Sequence, residues 1–456
     1  MRNWKRFITA LLSISLLCGI APGAAAKEPA PCWHVGFARR QIALPENSPE
    51  PLYISGYNSA WEITGVLDLC EARAVWLDAG AGGVLLIGVD CIALDSGTVD
   101  EIRKAIGDIP GCIAINVYAT HTHAGPDTLG LWGPTGVDGK NSEYMKNLIA
   151  AAAEAGREAA SNHHQGRLFF GYAATEDMFR DSRYPIVYDP NLYQLRFEAD
   201  DGSAGTRIYV YGAHAESLRG DNTLVSRDFP GRLCDAMTEL TGDNTMFCSG
   251  PAGGLIMTKA FVSDTGRQAL QNLEITASKL IGYAKSITPE KECELKPALR
   301  FGRTVFTVPL DNPAFALYKL LGILHNKAMK ADSATGHGVE TELAVLKLDD
   351  LAVVLIPGEI FPELVLGGEV GQMNPNGVNP RPLTQIAKEH GIDRMIAIGL
   401  CNDELGYIVP PSDFLVNQDA PYIERIEDAL GEDHYEETNS VAPRARSASR
   451  TRWKRC

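Results

Sequence analysis

Short apolar runs rich in β-branched residues recur along this chain, and each stops abruptly at a polar loop. The runs at 84–89, 113–118, 207–212, 352–356 and 395–399 have the length and composition of buried strands. Between them the apolar spacing becomes helical. In 97–106, Val99, Ile102 and Ile106 share one face, and 142–161 is an alanine-rich helical stretch. A third periodic stretch runs from Asp264, suited to an N-cap, through Leu270, Leu273, Ala277, Leu280 and Ala284. Asp200-Asp201-Gly202 marks a turn between a run at 193–198 and the one at 207–212. Strands alternating with helices predict an α/β fold: a mixed-sheet domain, helices packed on the sheets, its site at the strand ends.

No linker, repeat or low-complexity break interrupts the pattern, so residues 27–432 are expected to form one domain. Ahead of it, the basic residues Arg2, Lys5 and Arg6 precede an apolar run over 7–20, then Pro22-Gly23 and the small-residue site Ala24-Ala25-Ala26. This is the pattern of a signal peptide over residues 1–26, and it predicts a secreted or periplasmic protein. The apolar run is shorter than the about 20 residues a bilayer span needs, and no later run is long enough, so no stable membrane span is expected. Beyond residue 432, Arg444, Arg446, Arg450, Arg452, Lys454 and Arg455 lie among Ser, Ala and Pro. Residues 433–456 therefore read as a disordered basic tail.

The formal net charge is −15, and removal of the signal cations makes the remainder more acidic. Such a surface argues against nucleic acid and anionic lipid as partners, since each phosphate contact needs a cation. Ten cysteines become an odd number once Cys18 leaves with the signal, and none forms a C-x-x-C pair. That argues against a zinc knuckle and against a complete disulfide framework, and Cys91, inside an apolar run, reads as a core residue.

The chemistry concentrates where strands end. The run at 113–118 leads straight into Thr120-His121-Thr122-His123-Ala124-Gly125-Pro126, and the run at 207–212 ends at His214. In extended chain, residues two apart point the same way, so His121 and His123 leave the strand on one side. Val353-Val354-Leu355-Ile356-Pro357-Gly358-Glu359 is an apolar strand ending in a carboxylate, and 396–407 is a strand opening into a polar loop that ends at Tyr407. Two imidazoles, a carboxylate and a phenol at four strand ends suit zinc with a position left for water. His163-His164, after the alanine-rich helix, reads as a solvated helix terminus, and His337 as a loop residue between glycines.

In this order, these segments resemble the neutral, non-lysosomal ceramidase family: a THTHxGP turn, a strand ending in His with SxDxxG after it, a PGE turn and a GLxNxxxxY loop. Val35-Gly36-Phe37-Ala38-Arg39, Ser55-Gly56-Tyr57, Asp68 ahead of Ala72-Arg73-Ala74, and residues 189–202 fit as well, so the similarity spans 35–411. The resemblance implies a zinc-dependent amidohydrolase with His121, His214, Glu359 and Tyr407 as zinc ligands. It implies a small-molecule or lipid-like substrate whose N-acyl bond is cleaved by metal-activated water. His123 then serves as proton shuttle or oxyanion donor, and Asp228 as the residue that orients a ligand histidine or a helix start. One position departs from the family. Ile256 stands where ceramidases carry a serine, and Ser249 is seven residues away. The family's carboxyl-terminal sandwich domain is not expected within these residues. The fold and metal carry over more directly than ceramide itself. A zinc hydrolase of another ester or phosphate bond, or a silent lipid- or glycan-binding member, are the alternatives.

Overall fold

The computed structural model describes residues 31–254, 256–262, 268–427, 431 and 433–442. The expected signal segment, the Asp264 cap and residues 443–456 lie outside them. Strands β1 (Trp33–Gln41), β2 (Glu71–Asp78), β3 (Gly83–Val89), β4 (Cys112–Ala119), β5 (His163–Ala174), β6 (Asn191–Ala199), β7 (Thr206–Tyr211) and β8 (Asn244–Ser249) form one sheet. Their spatial order is β8-β7-β6-β5-β1-β2-β3-β4, and β9 (Glu292–Leu295) pairs beside β5. A second sheet holds β10 (Leu299–Leu310), β11 (Lys327–Lys330), β12 (His337–Leu348), β13 (Leu351–Leu355) and β14 (Arg394–Ile398), in the order β10-β12-β13-β14 with β11 on β12. Four longer helices are α1 (Ser96–Ile106), α2 (Ser142–Ser161), α3 (Asp228–Thr241) and α4 (Ala269–Ser286).

Period-two alternation of apolar side chains explains the layering. Along β2, Ala72, Ala74 and Trp76 face a core shared with Val99, Ile102 and Leu148 of α1 and α2. Val75 and Leu77 face the opposite way, into a core between the sheets with Leu346, Val353 and Ile396. Leu85 and Ile87 of β3 follow the first group, Val84 and Leu86 the second. On β13, Val353 and Leu355 point between the sheets, whereas Val354 packs with Phe361, Leu364 and Leu383 outside. A strand buried on both faces must be apolar or carry paired polar groups, which is why β3 and β13 read as unbroken runs, whereas in β2 buried Arg73 is paired with Glu71. Each fully buried Leu or Ile contributes about 1.5–3 kcal/mol by leaving water. Helices α3 and α4 cover the β7–β8 end through Phe229, Leu233, Leu273 and Leu280 against Tyr209, Tyr211 and Phe247.

The expected helices at 97–106 and 142–161 are present, capped by Asp95 and Asn141 side chains that accept main-chain N–H bonds. The third begins at Ala269 among the described residues. Helix α2 approaches β1 so closely that a Cβ on Gly36 would lie 2.0 Å from the Ala159 carbonyl oxygen, so only glycine fits there.

Three expectations are corrected. His163-His164 does not end the helix, which stops at Ser161; it opens β5, where His163 pairs with Gly36 of β1. His337 is the first residue of β12 and not part of a loop. The tail does not begin at 433: Asp433–His434 pairs with Ile426–Glu427, and Ser440 Oγ donates to the Tyr407 carbonyl at 2.7 Å. Polar composition concealed this because the segment is held by hydrogen bonds and one buried ion pair more than by apolar periodicity. All eight described cysteines are free thiols, Cys91 fully buried among them. No described helix is long and apolar enough to cross a membrane.

Candidate metal centre

Most neighbouring strands in the two sheets are antiparallel, but β3–β4, β7–β8 and β13–β14 are parallel pairs. His121 follows β4, His214 follows β7, Glu359 follows β13 and Tyr407 follows β14. Every one of these groups therefore leaves the carboxyl end of a strand in a parallel pair, where an α/β sheet opens a crevice. Short bridges then align the loops. Thr122 pairs with Ala215 in parallel, and the His123 N–H donates to the Ala215 carbonyl at 2.9 Å. Glu359–Ile360 runs parallel to Tyr407–Ile408 with Glu359 opposite Tyr407.

Two of these histidines are oriented from behind. His121 Nδ1 donates to the Ile92 carbonyl at 2.7 Å, and His214 Nδ1 donates to the Ile256 carbonyl at 2.9 Å. A carbonyl only accepts, so each Nδ1 carries a proton and each Nε2 is the nitrogen turned inward. Both Nε2 atoms converge on Glu359 Oε2, at 3.2 Å from His121 and 3.1 Å from His214. Tyr407 Oη lies 3.5 Å from His214 Nε2 and 3.3 Å from Tyr435 Oη. His123 brings its Nε2 to 3.3 Å from that of His121, and the donor atoms of His121, His123 and His214 all lie within 4.8 Å of one another. His121 sits in the left-handed region at φ 63°, a conformation that costs a non-glycine residue about 1–2 kcal/mol. Such strain persists where surrounding bonds over-determine it, here the Ile92 bond and the adjoining Thr120–Asp90 contact at 3.0 Å.

The charges in this cluster bear on one another. Burial raises the Glu359 carboxyl, but the adjoining His121 and His214 outweigh it and hold the group well below the usual range. Burial lowers the His214 imidazole, yet its bond to Glu359 and the charges of Glu359 and Glu216 lift it to about 9. Burial and the neighbouring His121 and His214 push His123 well below an ordinary histidine, which keeps it neutral. His123 Nδ1 is buried without a hydrogen-bond partner, 4.0 Å from Glu216 Oε2.

All five groups expected at the centre, His121, His123, His214, Glu359 and Tyr407, come together. Asp228 does not join them. It starts α3 at φ 52°, fully buried, and its carboxylate accepts from the main-chain N–H of Leu218 at 3.2 Å and Phe229 at 2.6 Å. Burial, with main-chain donors partly offsetting it, puts its carboxyl at about 6. Of its two expected roles it takes the helix start, with no hydrogen bond to a histidine. Ile256 turns its side chain into the core and lends the centre only its carbonyl. Ser249 is fully buried, its hydroxyl donating to the Thr120 carbonyl at 2.9 Å.

Two residues were missed in the sequence. Glu216 lies beside His123, bonded to Tyr57 Oη and to Arg219 at 3.3 Å. The repeat of a residue-x-residue spacing, His121/His123 against His214/Glu216, was the available signal. Tyr435 lay past the boundary assigned to the domain.

No protein-family model matches the sequence, and no curated protein matches it. The fold is similar to solved ceramidases. The crystal structure of neutral ceramidase from Pseudomonas aeruginosa aligns at 15% identity and a TM-score of 0.70, covering 91% of this chain and 72% of that one. A ceramidase complexed with C2 aligns at 14% identity and a TM-score of 0.68, covering 91% of this chain and 73% of the other. The mixed-sheet α/β fold expected from the sequence is thus shared with neutral ceramidase at low identity.

Proposed function

We propose that the protein is an exported, zinc-dependent hydrolase that cleaves an N-acyl bond in a small-molecule or lipid-like substrate. The observation that carries this reading is the convergence of His121 Nε2 and His214 Nε2 on Glu359 Oε2 beside Tyr407. The donors fit zinc: neutral imidazoles with their outer nitrogens held by carbonyls, one carboxylate and one phenol. The shared fold with neutral ceramidase supports the amide as the bond cleaved.

When bound, zinc supplies a Lewis acid for the scissile carbonyl and lowers the pKa of water toward about 7. His121, His214, Glu359 and Tyr407 hold that ion. His123 handles the proton: Glu216, 4.0 Å from its Nδ1, favours the tautomer with the proton on that side. Nε2 is then a free acceptor facing the centre, able to take a proton from water and deliver it to the leaving amine. Glu216 is itself fixed by Tyr57 and Arg219. A Cβ on Gly56 would stand 2.7 Å from His123 Nδ1, so the bare backbone there leaves the ring its place. The route is direct hydrolysis by water, since Ile256 offers no hydroxyl and Ser249 is turned away.

The test is a panel of N-acyl amides, esters and phosphate monoesters offered to the purified protein with its metal content measured. Amide turnover that disappears on chelation and returns with zinc is the expected result. Turnover of phosphate esters alone would reassign the bond, and no turnover with metal bound would make this a binding protein.

A further inference from the structure

A second cluster of metal-ligating side chains lies on the segment that supplies Tyr435. His434, Glu436 and Glu437 each present a donor atom within 4.8 Å of the others, and all three are buried, at 5%, 0% and 2% exposure. His434 Nδ1 is 3.5 Å from Glu437 Oε1. Arg183 lies against Glu436, with Nε to Oε1 at 2.5 Å and Nη2 to Oε2 at 3.1 Å. Each carboxylate oxygen has two lone pairs, so Glu436 can serve Arg183 and a further partner together.

Among the described residues the charges do not balance without another cation. Arg183 offsets Glu436. Glu437 and Asp413, the latter 3% exposed, then share the single charge that His434 can carry. Glu437 Oε2 and Asp413 Oδ1 are both buried with no hydrogen-bond partner. A buried carboxylate oxygen left unpartnered is costly, and buried charges are normally paired or bound to metal. Burial pushes the Asp413 carboxyl up to about 6, with Glu437 adding to the rise.

We propose that His434, Glu436 and Glu437 bind a second divalent cation, one that accepts mixed imidazole and carboxylate donors, and that it fastens the turn carrying Tyr435 against Tyr407. Zn²⁺ and Mn²⁺ are the ions this donor set suits. Tyr435 lies between two of the ligands in sequence, and its Oη is 3.3 Å from that of Tyr407. The ion would hold in place a wall of the first centre without entering its chemistry.

The test uses the full chain, dialysed free of loose metal and then analysed for its elements. Wild type should hold two equivalents of divalent metal, and His214→Ala and Glu437→Gln one each. One equivalent in wild type, lost in His214→Ala and kept in Glu437→Gln, overturns the second site and leaves the proposed hydrolase intact. One equivalent kept in His214→Ala and lost in Glu437→Gln supports the second site and sinks the first. Should Glu437→Gln fail to fold, Mn²⁺ alone is titrated into chelated His214→Ala and into His214→Ala/His434→Gln. A melting-temperature rise of several degrees in the first and none in the second supports the site, and equal shifts, or none in either, overturn it.

Discussion

Glu359 and Tyr407 face each other across a two-residue parallel ladder, each in the loop that follows a strand of the same parallel pair. A carboxylate and a phenol are thereby brought to the same Nε2 of His214, at 3.1 and 3.5 Å, from points 48 residues apart. The ladder is a small two-stranded sheet of its own that follows β13 and β14 of the second sheet in sequence, whereas both histidines follow strands of the first. The centre therefore lies where the carboxyl ends of two sheets meet, and loosening either sheet's loops separates the histidines from their oxygen partners.

Replacing His121 or His214 with alanine should lower zinc content by about one equivalent per chain, as expected for a site that depends on each protein ligand. Both residues sit in loops beyond their strands, so a folded protein should remain. Elemental analysis paired with far-UV circular dichroism checks this. Unchanged zinc in both variants would rule out the assigned ligand set.

His123→Ala should keep that metal and lose turnover by about 10²–10⁴, the usual contribution of a positioned proton shuttle. Glu216→Gln should lower kcat by a smaller factor, about 10–100, the scale of partners that orient a functional histidine. KM should change little in either, because neither side chain is assigned to substrate binding. Loss of metal from His123→Ala would instead make it a ligand.

Metal affinity should fall with acidification. In the metal-free protein, His214 titrates at about 9, above its ordinary 6.5, because Glu359 holds the proton against the burial that opposes it. A ligand imidazole must be deprotonated, so below that value each pH unit should weaken binding about tenfold through this one proton. The same raised value stabilises the metal-free fold fully below 6.5, and that stability fades as pH rises through about 9. Chelator competition from pH 6 to 9 measures the first effect, and melting of stripped protein the second.

Much of this was readable in the residues, for a physical reason. Strands buried on both faces must be apolar throughout, so 84–89 and 352–356 stood out, and polar groups at their ends had to lie in loops; 113–118 stood out as well, although it is an edge strand with Ile113 exposed. What escaped was register between distant segments. Glu216 meets His123 where Thr122 bridges Ala215, and Tyr435 meets Tyr407 where Ser440 bonds to Tyr407 and Arg183, over 250 residues earlier, holds Glu436. Local composition carries no trace of such pairings. The histidines at 163 and 164 misled for a related reason: a strand beginning one residue after a helix cap looks like a polar helix end.

Glu436→Ala should destabilise the protein although the residue touches neither strand core nor the first centre. It leaves the Arg183 guanidinium buried, at 7% side-chain exposure, without its carboxylate. Breaking one partner of a buried pair costs about 3–5 kcal/mol. A lowered melting temperature is expected, with Arg183→Met/Glu436→Leu recovering part of the loss. An unchanged melting temperature would mean that the segment after residue 432 does not dock in solution.

The remaining prediction concerns the route of hydrolysis. Ser249 lies seven residues before the position that Ile256 occupies, and its Oγ is committed to the Thr120 carbonyl in a fully buried setting. To attack a substrate it would have to break that bond and turn through packed backbone around Gly250, whose Cβ would meet Gly212 at 3.0 Å. Among the described residues its hydroxyl bonds to no base, and an unactivated serine hydroxyl is a weak nucleophile. Ser249→Ala should therefore cost about 1 kcal/mol of stability through the lost hydrogen bond and leave kcat within about twofold. Serine-directed reagents should leave activity intact, and the rate should rise with pH through a group near about 7, as zinc-activated water requires. Mass spectrometry of the enzyme quenched during turnover should find no acyl adduct; one trapped on Ser249 would overturn the direct route and show that the 249–254 loop rearranges when substrate binds.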